Sequence, residues 1–158
     1  MALVIRPAGI DDLASLTRLI QELIAQQNDP AGHLTVEAVR RDGMGANSSY
    51  QILVAEEAGT LEGYALFMTA YETAFAARGL YLSDLYVRPA RRGRGIGRAL
   101  VAAVARQARE RGGCFLWWVS KPWNQGAQAF YRKLGASAEP VIAHALTLEA
   151  FAALADQG

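Results

Sequence analysis

A run of arginines and glycines holds the most informative chemistry in this chain. Between Arg88 and Arg98, five arginines (positions 88, 91, 92, 94 and 98) are interleaved with Gly93, Gly95 and Gly97. Glycines let backbone N–H groups approach a ligand without interference from a Cβ atom, and the N-terminus of a following helix attracts anions. The segment therefore predicts a cradle for a pyrophosphate, with a solvated run of charge as the alternative.

Two common phosphate-binding patterns do not match this loop. The dinucleotide pattern G-x-G-x-x-G would begin at Gly93 but has Arg98 at its sixth position. A Walker loop requires a Gly-Lys pair, which the sequence lacks. We therefore expect neither a dinucleotide-binding fold nor hydrolysis of a nucleoside triphosphate.

Composition limits the possible partners. The chain has 158 residues, 52% of them hydrophobic, with 16 Lys and Arg against 15 Asp and Glu. This predicts a single domain over residues 1–158 and gives no overall charge that would favour nucleic acid or a membrane surface. No apolar run approaches the roughly 18–20 residues of a membrane span, and the first residues do not resemble a signal peptide, so we expect a cytoplasmic protein. The lone cysteine, Cys114, is expected to be a buried thiol.

The spacing of apolar residues predicts strands and helices in one order. The predicted strands are Ala2–Arg6, Tyr50–Ala55, Gly63–Tyr71, Leu80–Val87, Cys114–Val119 and Val141–Leu146. The predicted helices begin at Asp11 or Asp12, Thr35, Ile96, Asn124 and Leu148. The apolar run Cys114–Val119 indicates a strand buried on both faces. The order β-α-α-β-β-β-α-β-α-β-α predicts an α/β (α+β) fold with a mixed, mostly antiparallel sheet and helices on both faces.

Two motifs in this order resemble those of the GNAT superfamily of N-acetyltransferases. The pattern R-x-x-G-x-G, from Arg92 to Gly97, is similar to the superfamily's acetyl-CoA loop. The pattern N-x-x-A-x-x-F-Y-x-x-x-G, from Asn124 to Gly135, is similar to its second conserved block. The resemblance implies a GNAT-like fold that binds acetyl-CoA and needs no metal.

Nearly the whole chain resembles one branch of that superfamily, the spermidine/spermine (diamine) acetyltransferases. The matching segments include Ile5–Ala8, Arg18–Leu23 and Tyr81–Val87. The resemblance implies transfer of an acetyl group to a primary amine of a diamine, a polyamine or a lysine analogue. It also implies a homodimer, which the apolar strand Val141–Leu146 could form across a two-fold axis. A non-catalytic acetyl-CoA-binding protein is the alternative function.

The resemblance also assigns site residues. Acetyl-CoA would be bound by Leu85, Tyr86, Val87, Arg92, Gly93, Arg94, Gly95, Ile96, Gly97, Arg98, Asn124 and Tyr131. Tyr131 would be the general acid, since a phenol can protonate a leaving thiolate.

The sequence leaves the identity of the general base open. The related enzymes have a glutamate where this chain has Ser83, and a serine cannot hold a proton taken from an ammonium. Asp84 is the neighbouring carboxylate, but adjacent residues of a strand face opposite sides, so it could serve only if a bulge redirects it. Glu22 and Glu72 are the other acidic candidates. Tyr81 shares a face with Ser83 and could pass a proton through water, so we include all of these in the predicted amine site.

Overall fold

Five strands and five α-helices form the regular structure of residues 2–157, the part of the chain that the computed structural model describes. The strands are β1 (Val4–Pro7), β2 (Gln51–Glu57), β3 (Thr60–Glu72), β4 (Ala77–Val87) and β5 (Phe115–Trp117). The helices are α1 (Leu13–Gln26), α2 (Val36–Gly43), α3 (Ile96–Glu110), α4 (Gln125–Leu134) and α5 (Leu148–Ala155). The chain divides into two compact units between Ser120 and Lys121, and the single-domain assignment stays a prediction.

The sheet of the first unit is mixed and mostly antiparallel. Its strand order is β1-β2-β3-β4-β5, and only the β4–β5 pair is parallel. A tight turn at Ala58 and Gly59 joins β2 to β3, where Gly59 has a φ of 74° that favours glycine. The structure confirms the predicted fold class.

Helices cover both faces of this sheet, as predicted. On one face, α1 and α2 pack against β2 and β3 through a cluster that includes Leu16, Val39 and Tyr64, all fully buried. On the opposite face, α3 packs against β2, β3 and β4, and its Leu100 and Val104 are fully buried. The apolar stripe of each of these helices therefore identifies the side that packs against the sheet, because the stripe needs a sheet face to cover it.

Polar side chains lie at the start of the first two helices, and one of them is a helix cap. The Thr35 hydroxyl accepts a hydrogen bond from the Ala38 N–H at 3.1 Å, which caps α2 as predicted. Asp12 accepts a hydrogen bond from the Gly9 N–H at 2.7 Å, and its carboxylate binds Arg6 at 2.7 Å. The hydrogen bond from Arg6 holds the pKa of Asp12 below its usual range. Arg6 also binds Glu56, so it connects β1, β2 and the start of α1.

The second unit contains the helices α4 and α5. The Asn124 side chain accepts a hydrogen bond from the Ala127 N–H at 3.1 Å, which caps α4, and α4 ends at Gly135 with a φ of 90°. Helix α5 has the predicted bounds Leu148–Ala155. None of the helices described in residues 2–157 is long and apolar enough to cross a bilayer.

Three details of the predicted fold are wrong. Val141–Leu146 forms no strand, because a strand needs a partner and the described part of the second unit holds only helices. Strand β5 covers Phe115–Trp117 instead of Cys114–Val119, and it is not buried on both faces, since Trp117 is 49% exposed. Cys114 precedes this short strand and is exposed, so it is not a buried thiol.

Candidate active site

A β-bulge in β4 decides where Asp84 lies. Leu66 of β3 pairs with Asp84 and the next residue, Phe67, pairs with Leu82, so Ser83 is an extra residue on β4. An extra residue shifts the alternation of side chains along a strand. Leu82 therefore lies on the α3 face of the sheet, while Asp84 lies on the α1 face with Tyr86. The bulge that the sequence analysis required for Asp84 is present.

Asp84 sits in a largely buried, hydrogen-bonded setting. Its Oδ2 accepts a hydrogen bond from the Tyr64 hydroxyl at 3.0 Å, and its Oδ1 lies 3.4 Å from the Ser83 hydroxyl. Burial raises the pKa of Asp84, and the negative charge of Asp29 acts in the same direction, while the two hydrogen bonds act against it. A carboxylate with a raised pKa is a better proton acceptor near neutral pH than an exposed one.

Tyr81 lies on the same face of the sheet as Asp84. It pairs with Met68, which packs against the cluster under α1 and α2. Its ring lies 5.5 Å from that of Trp117, centroid to centroid. The structure thus brings Ser83, Asp84 and Tyr81 to one stretch of β4.

The two glutamates proposed from the sequence lie in different places. Glu22 of α1 accepts a hydrogen bond from the Tyr86 hydroxyl at 2.9 Å and lies 3.8 Å from Arg88. Burial, followed by this hydrogen bond, raises the pKa of Tyr86 to about 12. Glu72 accepts a hydrogen bond from the Ala74 N–H at the far end of the β3–β4 hairpin. Six residues of extended strand separate Glu72 from the level of Asp84, about 20 Å.

The glycine-rich loop after β4 has the geometry of an anion cradle. Gly93 and Gly95 have φ angles of 77° and 83°, and the space where a Cβ would extend is open at both. Gly95 is the N-cap of α3 and no side chain caps this helix, while Ile96 anchors its first turn in the core. The first N–H groups of α3 are therefore available to a ligand, which fits the pyrophosphate of acetyl-CoA.

The arginines around the loop have different roles. Arg92 donates from Nε to the Val87 carbonyl at 2.8 Å and from Nη2 to Gln26 at 2.5 Å, and its guanidinium lies over the Tyr86 ring. Arg91 forms an ion pair with Glu57. Arg94 and Arg98 are exposed. Arg92 therefore fastens the loop to β4 and α1, and the backbone of the loop carries the predicted anion site.

One edge of β4 is open beside this loop. Strand β5 pairs with β4 only from Gly79 to Tyr81, and the pairing ends two residues before the extra Ser83. Leu85, Tyr86 and Val87 pair with β3 on the other side. Within residues 2–157 no strand pairs with the free edge of this segment, so its backbone can bind an extended ligand arm, as the sequence resemblance implies.

Asn124 and Tyr131 belong to the second unit. Asn124 is the helix cap described above, and Tyr131 lies on α4 with its ring 5.4 Å from that of Phe130. Burial raises the pKa of Tyr131, so its phenol keeps the proton at neutral pH. The group is therefore in the protonation state that a general acid requires.

The sequence analysis missed Tyr64. Its ring is fully buried, yet its hydroxyl donates to Asp84, which is 20 residues away in the chain. Tyr64 lies in the apolar run Gly63–Tyr71, where an aromatic residue is typical of a strand. The only signal was the hydroxyl itself, because a buried tyrosine usually has a hydrogen-bond partner.

Comparisons with known proteins agree with this architecture. The model of the acetyltransferase (GNAT) family matches residues 16–136. Thialysine N-epsilon-acetyltransferase of Bos taurus is 35% identical over 84% of this chain and 82% of its own, and that of Mus musculus is 34% identical over 84% and 82%. An integron cassette protein from V. cholerae superposes with a TM-score of 0.82 over 99% of both chains, at 22% identity, which shows the shared fold. The chain therefore belongs to the GNAT family of acetyltransferases.

Proposed function

We propose that this acetyltransferase moves the acetyl group of acetyl-CoA to a primary amine of a small molecule in the lysine-analogue, diamine or polyamine class. The observation that carries the proposal is the bulge at Ser83, which turns the largely buried Asp84 carboxylate to the α1 face of the sheet. The two relatives described above, from Bos taurus and Mus musculus, are named for acetylation of thialysine at its ε-nitrogen. A buried carboxylate is the group that a cationic amine of this kind needs.

Two parts of the first unit would hold acetyl-CoA. The N–H groups of the loop Arg92–Arg98 at the start of α3 suit the pyrophosphate. The free edge of Leu85–Val87 suits the extended arm that ends in the thioester. Acetyl-CoA supplies the activated acyl group, and no metal is part of the proposal. Asn124 stays a candidate contact on the strength of its motif.

Asp84 is the proposed proton acceptor. An alkylammonium with a pKa near 10.4 is neutral in only about one molecule in a few thousand at pH 7, so a base must take its proton before attack. Ser83 cannot hold that proton, but its hydroxyl can position a water molecule beside Asp84 Oδ1. Tyr81, on the same face, stays a candidate for contact with the amine. Glu22 and Glu72 are less suited, since each already binds a group elsewhere.

The reaction then balances with three proton transfers. The ammonium loses one proton to Asp84, and the neutral nitrogen forms a bond to the thioester carbonyl carbon while the carbon–sulfur bond breaks. The departing thiolate takes a proton from an acid, for which Tyr131 is the candidate, and the nitrogen returns its second proton to that acid, so the proton on Asp84 is the one released to solvent. Holding the amine and the thioester in attack geometry can lower the activation barrier by up to roughly 7–11 kcal/mol.

A panel of amines assayed for thiol release tests this function. We expect turnover with thialysine, lysine, ornithine or a diamine, and little with an alcohol of the same length, because only the amine can be deprotonated to a strong nucleophile. Stabilisation by coenzyme A without turnover of any amine would favour the non-catalytic acetyl-CoA-binding protein. No stabilisation by coenzyme A would contradict both functions.

We also propose a homodimer, formed through the C-terminal segment. Large apolar side chains are exposed along it: Val141, Ile142, Leu146, Leu148, Phe151 and Leu154. An apolar strip of this size is typical of an interface, which a second copy of the chain would cover. Light scattering should give about twice the chain mass, and Ile142→Asp should lower it to one. A monomeric wild-type protein at micromolar concentration would contradict the dimer.

The cytoplasmic location, and the absence of nucleic-acid and membrane partners, stay predictions from the sequence.

A further inference from the structure

The buried hydroxyl of Tyr64 has no role in the function proposed above. Tyr64 lies on β3 opposite Tyr86, and its side chain is fully buried among the residues under α1 and α2. A phenol hydroxyl in such a setting must be hydrogen-bonded, because an unpaired buried hydroxyl destabilises the folded state. The acceptor is Asp84 Oδ2, at 3.0 Å. A phenylalanine would fill the same space without needing an acceptor.

The hydrogen bond gives the two oxygens of the Asp84 carboxylate different surroundings. Oδ2 faces the buried Tyr64 hydroxyl, whereas Oδ1 lies near the exposed Ser83 hydroxyl. The Tyr64 ring is held by packing, with the Tyr86 ring 6.3 Å away, so the donor has little freedom to move. Oδ1 is therefore the oxygen left for an amine or for a water molecule that relays its proton.

We infer that Tyr64 is a positioning residue for the acetyl transfer, which holds Asp84 ionised and aims its Oδ1 at the incoming amine. The inference rests on the proposed function of Asp84 as proton acceptor. Tyr64 does not exchange a proton in this arrangement, since burial and the Asp84 charge raise its pKa far above neutral pH. Its effect on the reaction passes through the carboxylate.

The charges around Asp84 give the sign of the effect. Asp29, from the segment after α1, disfavours the ionised form of Asp84 and raises its pKa, as burial does. The hydrogen bonds from Tyr64 and Ser83 favour the ionised form and lower that pKa. Tyr50, which precedes β2, also interacts with the Asp84 charge and is neutral at the pH of the assay. Removing the Tyr64 hydroxyl must therefore raise the pKa of Asp84 further.

The test is the pH profile of kcat/KM for Tyr64→Phe, measured with one amine found active in the panel. We expect the acid limb of the profile to move to higher pH by about one to two units, the size expected for losing one hydrogen bond to a charged group. Above the limb, kcat should return to within a few-fold of wild type. Tyr71→Phe is the matched control, because it removes the same atom from an exposed tyrosine of the same strand.

A purely structural role of Tyr64 predicts a different result. The melting temperature of Tyr64→Phe would fall while its pH profile overlaid that of wild type, and this outcome would overturn the inference. As a second variant, 3-fluorotyrosine at position 64 keeps the ring and makes the hydroxyl a stronger donor, so the acid limb should move to lower pH. A limb that stays in place would again contradict the positioning role.

The background Asp84→Asn separates this inference from the proposed function. If Asp84 is the base, this variant loses most activity, and adding Tyr64→Phe lowers the residual activity no further. If Asp84→Asn is fully active, the proposed base is wrong and the inference fails with it. If Asp84→Asn is inactive but Tyr64→Phe has the wild-type profile, only the inference fails.

Discussion

The bulge at Ser83–Asp84 and the loop Arg92–Gly97 lie on either side of the last residues of β4, and they are built in opposite ways. At the bulge, the proposed functional groups are side chains, Asp84 and Tyr64, and they are largely buried and hydrogen-bonded to each other. In the loop, they are backbone N–H groups at glycines with positive φ and no Cβ. The first can hold and move a proton, while the second can only bind a charge.

The two sites also differ in their effect on stability. A buried carboxylate with a raised pKa is unfavourable to the fold when it is ionised. The glycines of the loop carry no such penalty, because glycine adopts their positive φ angles without steric cost. We therefore expect Asp84→Asn to lower turnover without a loss of stability, and a side chain added in the loop to weaken binding and also lower stability.

The largest expected effect is on turnover in Asp84→Asn. The amide keeps the shape of the carboxylate and still accepts the Tyr64 hydrogen bond, but it cannot take a proton. We expect kcat to fall roughly 10²–10⁴-fold at pH 7, with coenzyme A affinity unchanged. The exposed Asp11→Asn is the matched control and should retain wild-type kinetics. Full activity of Asp84→Asn would remove the distinction between a catalytic bulge and a binding loop.

A smaller effect is expected on binding in Gly95→Val. The side chain would block the approach of a pyrophosphate to the backbone N–H groups, so the Kd for acetyl-CoA should rise by about tenfold or more. A valine at a φ of 83° is also strained, so the melting temperature should fall. Gly59→Val separates the two effects, because Gly59 has a φ of 74° and open space around it but lies in the β2–β3 turn.

The affinity of Gly95→Val and Gly59→Val for acetyl-CoA is measured by calorimetry, and their stability by thermal melts. We expect similar losses of stability and a loss of affinity in Gly95→Val alone. Equal affinities in the two variants would place the acetyl-CoA site elsewhere.

The smallest effect is on the pH dependence of stability. The folded pKa of Asp84 is raised above its unfolded value of 3.8, so the folded state binds the proton more tightly. The free energy of unfolding that Asp84 contributes is therefore lost as the pH rises from below the unfolded pKa through the folded pKa. At pH values above the folded pKa, this contribution remains lost. Asp84→Asn removes this loss, so the variant should gain melting temperature relative to wild type between about pH 4 and pH 7.

The measured quantity is the difference in melting temperature between Asp84→Asn and wild type at each pH. Asp12, whose pKa is lowered by Arg6, destabilises both at low pH in the same way and cancels. A melting temperature of Asp84→Asn below that of wild type at pH 7 would show that the carboxylate stabilises the fold.

The structural features that the sequence predicts correctly come from patterns of residues that lie close together in the chain. The helices beginning after Thr35 and Asn124 have side-chain caps, and the glycine spacing in Arg92–Gly97 predicts positive φ angles at the start of α3. Each of these depends on residues a few positions apart. The amphipathic stripe of α1 also identifies its buried face, since any core must cover it. The failed strand Val141–Leu146 has the correct apolar pattern, but a strand exists only when another strand pairs with it.

The sequence by itself determined the family, the order of elements from β1 to α4 and the loop that suits acetyl-CoA, because these depend on residue types at short spacing. Only the tertiary structure decided on which face of the sheet Asp84 lies. The register of β3 on β4 makes Ser83 an extra residue and brings Tyr64 to Asp84 across 20 positions of chain. A shift of one residue in that register would turn Asp84 to the opposite face of the sheet, and no local pattern determines it.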